Sequence, residues 1–158
     1  MSCLICLNQF NPSSVHFGQS NSENGIIFTR IVYSTPNVSL NNIGITMCLL
    51  STKSFYSQYL KKWVINYDPD YSSNIETITH LKKIEETIIS KFSNNCKHEP
   101  VYYLADQLNS GYIKVYSKKQ DDTIEIRERE IPITMIIHIY EIWEKNAQYG
   151  ISFRLIKI

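Results

Sequence analysis

Two short stretches interleave aromatic rings with lysines: Tyr112-Ile-Lys-Val-Tyr-Ser-Lys-Lys119 and Tyr59-Leu-Lys-Lys-Trp63. Successive side chains of an extended backbone alternate between faces. Tyr112, Lys114, Tyr116 and Lys118 are therefore expected on one side of a strand, with Ile113 and Val115 on the other. Flat rings next to ammonium groups on one surface suit a single-stranded polynucleotide: bases stack on the rings at about 1–3 kcal/mol each, and the cations meet the phosphates. The plainer reading of the same pattern is a half-exposed sheet covered by tyrosine, whose ring is apolar and whose tip is polar.

Other chemistries find less support. Cys3-x-x-Cys6 has the spacing of half a zinc site, and Cys96-x-His98 could supply the other half. The second spacing is wrong for a standard zinc knuckle, so buried or free thiols are expected instead of a metal. Of His16, His80, His98 and His138, none sits in a nucleophile motif, and His138 inside an apolar strand reads as a core histidine. Asp68, Asp70, Asp121 and Asp122 flank turns, where solvated carboxylates are usual. Only five glycines occur, and no phosphate-cradling loop is among them. The sequence therefore nominates no catalytic residue, no metal and no cofactor, and the expected activity is binding.

Composition narrows the classes further. A chain of 158 residues fits a single domain with a real core, here 1–158 with 1–25 expected to be rich in loops. Eleven tyrosines, six phenylalanines and two tryptophans point to wet interfaces or stacking platforms. A net charge of +1 argues against polyanion binding by bulk charge, so any nucleic-acid site must be local. Met1-Ser-Cys-Leu-Ile-Cys-Leu7 lacks a secretory pattern, and the scattered cysteines fit an intracellular, reducing location. No run approaches the ~18 apolar residues of a membrane span.

The elements that would position these residues are mostly strands. Short strands are expected at 3–7, 26–33 and 43–50, with Gly44 a bend and Pro36 a stop. Residues 55–67 read as one strand or two, ended by Asp68-Pro-Asp70. Ile75, Ile78, Leu81, Ile84, Ile88 and Phe92 recur at steps of three and four, the stripe of an amphipathic helix, with Ser73 and Glu76 at capping-box spacing and Asn94 and Asn95 at its end. A helical turn is expected over 104–108. Strands follow at 111–118 and 123–129, the second carrying a solvated Glu/Arg run. The chain closes with a hairpin, 133–143 and 148–158, joined by Glu144-Lys-Asn-Ala147. Alternation puts Tyr149, Ile151, Phe153 and Leu155 on one face and Arg154 on the other, then slips at Leu155 and Ile156, where a bulge or two-sided burial is expected. Strands joined by short turns around one helix predict a mainly β fold, an OB-like five-stranded antiparallel Greek-key barrel with an inserted amphipathic helix.

Three features resemble the OB-fold single-stranded DNA-binding proteins of large eukaryotic DNA viruses, which are similar in plan to those of tailed phages. They are Ser34-Thr-Pro-Asn-Val-Ser-Leu-Asn-Asn-Ile-Gly44, like the family's Thr-Pro turn and apolar-Gly step; His80-Leu-Lys-Lys-Ile-Glu-Glu-Thr-Ile-Ile89, like its single helix; and Ile142-Trp143 with residues 146–155, like its closing turn and strand. The resemblance spans about residues 26–158. It implies coating of single-stranded DNA during viral DNA replication or recombination, without catalysis, with self-association and replication proteins as further contacts. Tyr59, Trp63, Tyr112 and Tyr116 would stack bases, and Lys61, Lys62, Lys114, Lys118 and Arg154 would meet phosphates. Phage members often end in an acidic tail that recruits partners; this chain reads Arg154-Leu-Ile-Lys-Ile158, so recruitment by that route is not expected. A different class, a viral assembly protein whose tyrosine-rich sheet is a protein interface, fits the same composition.

Overall fold

The computed structural model describes residues 4–94, 96–117 and 130–158. Its strands are β1 (Leu4–Cys6), β2 (Val15–Glu23), β3 (Ile26–Thr35), β4 (Val38–Leu40), β5 (Ile43–Ser57), β6 (Lys62–Tyr67), β7 (Glu99–Pro100), β8 (Tyr112–Ser117), β9 (Ile131–Lys145) and β10 (Gln148–Lys157). Helix α1 (Ser72–Ser93) separates β6 from β7, and helix α2 (Tyr103–Asn109) precedes β8. The strand expected at 123–129 lies outside the described residues.

Five strands close a barrel in the order β5-β6-β8-β10-β9, with β9 returning to β5 from Ile43↔Ile139 to Ser51↔Ile131. β8 and β10 run parallel and the other four pairings antiparallel. Alternation fills the interior: Ile45 and Met47 of β5, Ile65 of β6, Ile113 and Val115 of β8 and Ile137 of β9 are all buried. β9 is long enough to have two partners on one edge. Its first part pairs with β5, and from Glu141 to Glu144 it pairs with β3.

The stretch after the first short strand departs from the loop expected up to residue 25. Residues of β2 form a hairpin with β3 across Asn24 and Gly25, whose φ values of 51° and 77° are both left-handed. That is the two-residue turn that Asn-Gly favours. β2 itself is polar and mostly exposed, so it has no apolar alternation to betray it; its backbone ladder with β3 makes it a strand.

α1 confirms the helical stripe, with Ile78, Leu81, Ile84, Ile88 and Phe92 buried and Ile75 left exposed. The capping box does not form: the N-cap is Tyr71 and no side chain caps it. Asn74 instead accepts from Leu50 N–H at 2.8 Å and donates to Leu50 O at 3.1 Å and Asp68 O at 2.9 Å. These bonds serve the edge of β5 where its pairing passes from β1, which ends at Thr46, to β6, which begins at Ser51. The helical turn at 104–108 is a second helix, α2. Glu85 of α1 accepts from its Leu104 and Ala105 N–H groups at 3.0 and 2.8 Å, satisfying two amides at a helix start.

The expected bulge exists but lies elsewhere. β10 shifts register against β9 between Ser152 and Phe153, leaving Tyr140 as the extra residue on β9. The slip at the end of β10 is genuine alternation: Leu155 is buried and Lys157 shares its face. Among the described residues no helix is long and apolar enough to cross a membrane.

Candidate nucleic-acid interface

The outward face of the barrel is set by register. Val64 pairs with Lys114 and Asn66 with Tyr112, while Trp63 pairs with Val115 and Ile65 with Ile113. Since Val115 and Ile113 are buried, Lys114, Tyr112 and Tyr116 point out with Lys62. On the other side of β8, Ile156 of β10 lies beside Tyr116, and Arg154 two residues earlier shares its outward parity.

Three of the expected residues converge. Lys62 Nζ lies 4.3 Å from the centroid of the Tyr116 ring, and Arg154 Cζ lies 3.8 Å from it. Each such contact is worth about 0.5–2 kcal/mol, more as water is excluded. Tyr116 thus carries cations from both neighbouring strands and is half-buried. Tyr112, 44% exposed, sits four residues away on the same face, about 13 Å along the strand, with half-buried Lys114 between them.

The remaining expected residues divide. Tyr59 is 94% exposed at the tip of the β5–β6 hairpin, and Lys61 occupies the same turn with φ 51°. The turn leads directly into Lys62, so this tip stands at the Tyr116 end of the face. Trp63 must be corrected. It is only 5% exposed, because its register opposite Val115 turns it into the barrel. There Lys157 Nζ lies 4.0 Å from its ring and Tyr56 meets it edge-on at 6.1 Å, so no base can stack on it. Lys118 lies outside the described residues.

Two residues escaped the sequence reading. Tyr140, the bulge residue, has its hydroxyl pKa raised by burial, an effect that Arg154 opposes and that Glu141 and Tyr116 increase. It therefore stands within electrostatic reach of the Tyr116 cluster. Its position opposite in parity to Ile137 and Ile139 was a usable signal. Lys157, at the barrel mouth, was signalled by the slip itself. Burial also raises the pKa of Glu141, the acidic limit of this face.

The cysteines do not follow the two half-sites that their spacing offers. Cys6 lies in β1 opposite Thr46, whereas Cys96 and His98 gather with Glu144. Cys3 lies outside the described residues. Burial raises the Cys96 thiol pKa, the His98 amide lowers it, and Glu144 adds to the rise.

No family model, curated protein or solved structure matches the chain.

Proposed function

We propose that the chain binds single-stranded DNA without regard to sequence, along the outer face of β6, β8 and β10, and performs no chemistry on it. The observation that carries this reading is the half-buried Tyr116 ring with Lys62 and Arg154 packed over it. It puts an aromatic ring, a guanidinium plane on which a base can stack and two phosphate partners in one place on a chain of net charge +1. Tyr112 and Lys114 extend the row, and Tyr59 and Lys61 stand at its end. The barrel order, with β8 and β10 its parallel pair, supports an OB-like Greek-key architecture, whose strand faces commonly hold oligonucleotides. A place in viral DNA replication or recombination rests on the sequence resemblance.

The test is anisotropy of a labelled oligo-dT titrated with the protein at several salt concentrations. Saturable binding that weakens with salt is expected, with a shallow slope, since few cations line the face. No anisotropy change at micromolar protein, with growth of large assemblies instead, would replace this reading with that of an assembly protein.

A further inference from the structure

Away from the tyrosine face, the segment after α1 folds back across the β9–β10 turn. Glu99 N–H donates to Ala147 O and Val101 N–H to Tyr149 O, both at 2.9 Å. Gly150 permits the approach: a Cβ there would lie 3.0 Å from Val101 O and 3.1 Å from the Trp143 ring. Pinned in this way, the segment delivers Cys96 and His98 to Glu144 near the end of β9.

Cys96 Sγ stands 3.2 Å from Glu144 Oε2, and His98 Nδ1 stands 3.4 Å from the same oxygen. One donor atom from each residue lies within 4.8 Å of the other two. A tetrahedral Zn2+, with Zn–S near 2.3 Å and Zn–N and Zn–O near 2.0 Å, holds its ligand atoms about 3.3–3.6 Å apart. The two separations, 3.2 and 3.4 Å, lie in or within a few tenths of an ångström of that range. His98 N–H also points at Cys96 Sγ, 3.4 Å away, orienting the sulfur toward the carboxylate and imidazole. Cys96 and Glu144 are partly shielded from solvent, while the His98 side chain is 38% exposed.

We propose that Cys96, His98 and Glu144 bind one divalent ion of the Zn2+ type, leaving a fourth position for water. A thiolate and an imidazole favour a borderline-soft ion over Mg2+ or Ca2+, which take oxygen ligands. The ion ties the segment after α1 to the β9–β10 hairpin. The site is independent of the Cys3-x-x-Cys6 spacing, and it stands apart from the tyrosine face, so its fate does not decide the DNA-binding reading.

The test is titration of the chelator-treated full chain with Co2+, followed by Zn2+. One equivalent of Co2+ is expected to give a thiolate-to-cobalt charge-transfer band in the near ultraviolet, displaced by Zn2+. A chain carrying Cys3→Ser, Cys6→Ser and Cys48→Ser together is expected to keep the band. Cys96→Ser should abolish it, and His98→Ala and Glu144→Gln should each weaken Co2+ binding more than about tenfold, with unchanged circular dichroism. The assignment is overturned by loss of the band in the triple serine chain, by its survival in Cys96→Ser, or by its absence from the wild-type protein. The triple serine chain leaves all three proposed ligands in place, so the idea stays exposed to refutation even if a ligand variant fails to fold.

Discussion

The Arg154 guanidinium lies over the ring of Tyr116, 3.8 Å from its centroid. A guanidinium plane on an aromatic face is itself a flat surface on which a base can stack. Arg154→Ala therefore removes a phosphate partner and a stacking plane together, whereas Arg154→Lys keeps only the charge. We expect both variants to bind oligo-dT more weakly than wild type. The lysine form should keep the salt slope and the alanine form should reduce it by about 0.7, the value for one phosphate contact on a single strand. Equal slopes for wild type and Arg154→Ala would take Arg154 out of the interface.

Tyr112→Ala combined with Tyr116→Ala should cost about 2–5 kcal/mol of single-stranded DNA affinity, two stacked bases' worth. The outward parity of both rings predicts little loss of fold, to be checked by urea unfolding. Trp63→Phe, by contrast, should change stability and leave affinity alone, since Trp63 is sealed in the barrel. Wild-type affinity in the double tyrosine variant would refute the stacking face.

Asn74, 1% exposed, serves Leu50 through both its N–H and its C=O and also bonds Asp68 O. Asn74→Ala leaves partly buried backbone groups unpaired at the open edge of β5 and should cost about 1–3 kcal/mol. Urea denaturation should show a lower midpoint with an unchanged slope. Asn74→Leu, closer in size, should not recover the loss.

Glu85 is fully buried, and burial outweighs the two amides it accepts from, so its folded pKa stands above the ordinary value of 4.5. Between 4.5 and that raised value the native state holds more protons than the unfolded chain, so this group's contribution to stability falls as pH rises. Glu85→Gln cannot ionise. The stability difference, wild type minus Glu85→Gln, is expected to shrink as pH climbs through that window in thermal melts. A difference that widens would mean the amide bonds dominate instead.

Ala147 holds φ 61° in the β9–β10 turn, beside Asn146 at 52°. A Cβ in that region is disfavoured, while glycine there is not. Ala147→Gly should stabilise the protein by about 0.5–1 kcal/mol after allowing for glycine's greater freedom when unfolded. Gly25→Ala, at φ 77°, should lose a similar amount.

What could be read in the residues follows from which forces are periodic. The stripe from Ile78 to Phe92, the closing hairpin and the outward row Tyr112, Lys114, Tyr116 were legible because burial on one side imposes a period. β2 was not, since an exposed polar strand is held by backbone pairing alone; the Asn24-Gly25 turn was its one available sign. Trp63 was misplaced for a related reason. Its place in one aromatic-lysine stretch with Tyr59 and Lys61 suggests a shared surface, but the chain turns at 58–61 and the register restarts opposite Val115. The gathering of Glu144 with Cys96 and His98 joins residues far apart in the chain, and no local pattern announces it.

Because β9 exchanges its neighbour from β5 to β3 near Tyr140, two ladders diverge from one rail. Peeling the β2–β3 hairpin away would break the β3 pairings with β9 and β4, the Lys91 bond to Val15 O, the contact of Phe17 with Phe92 and its packing against the barrel, leaving the pairings of the five-stranded cylinder in place. Slow amide exchange should therefore concentrate in the first half of β9, with protection fading sooner in β2. The molecule would come apart from its amino-terminal wing inward, in stages.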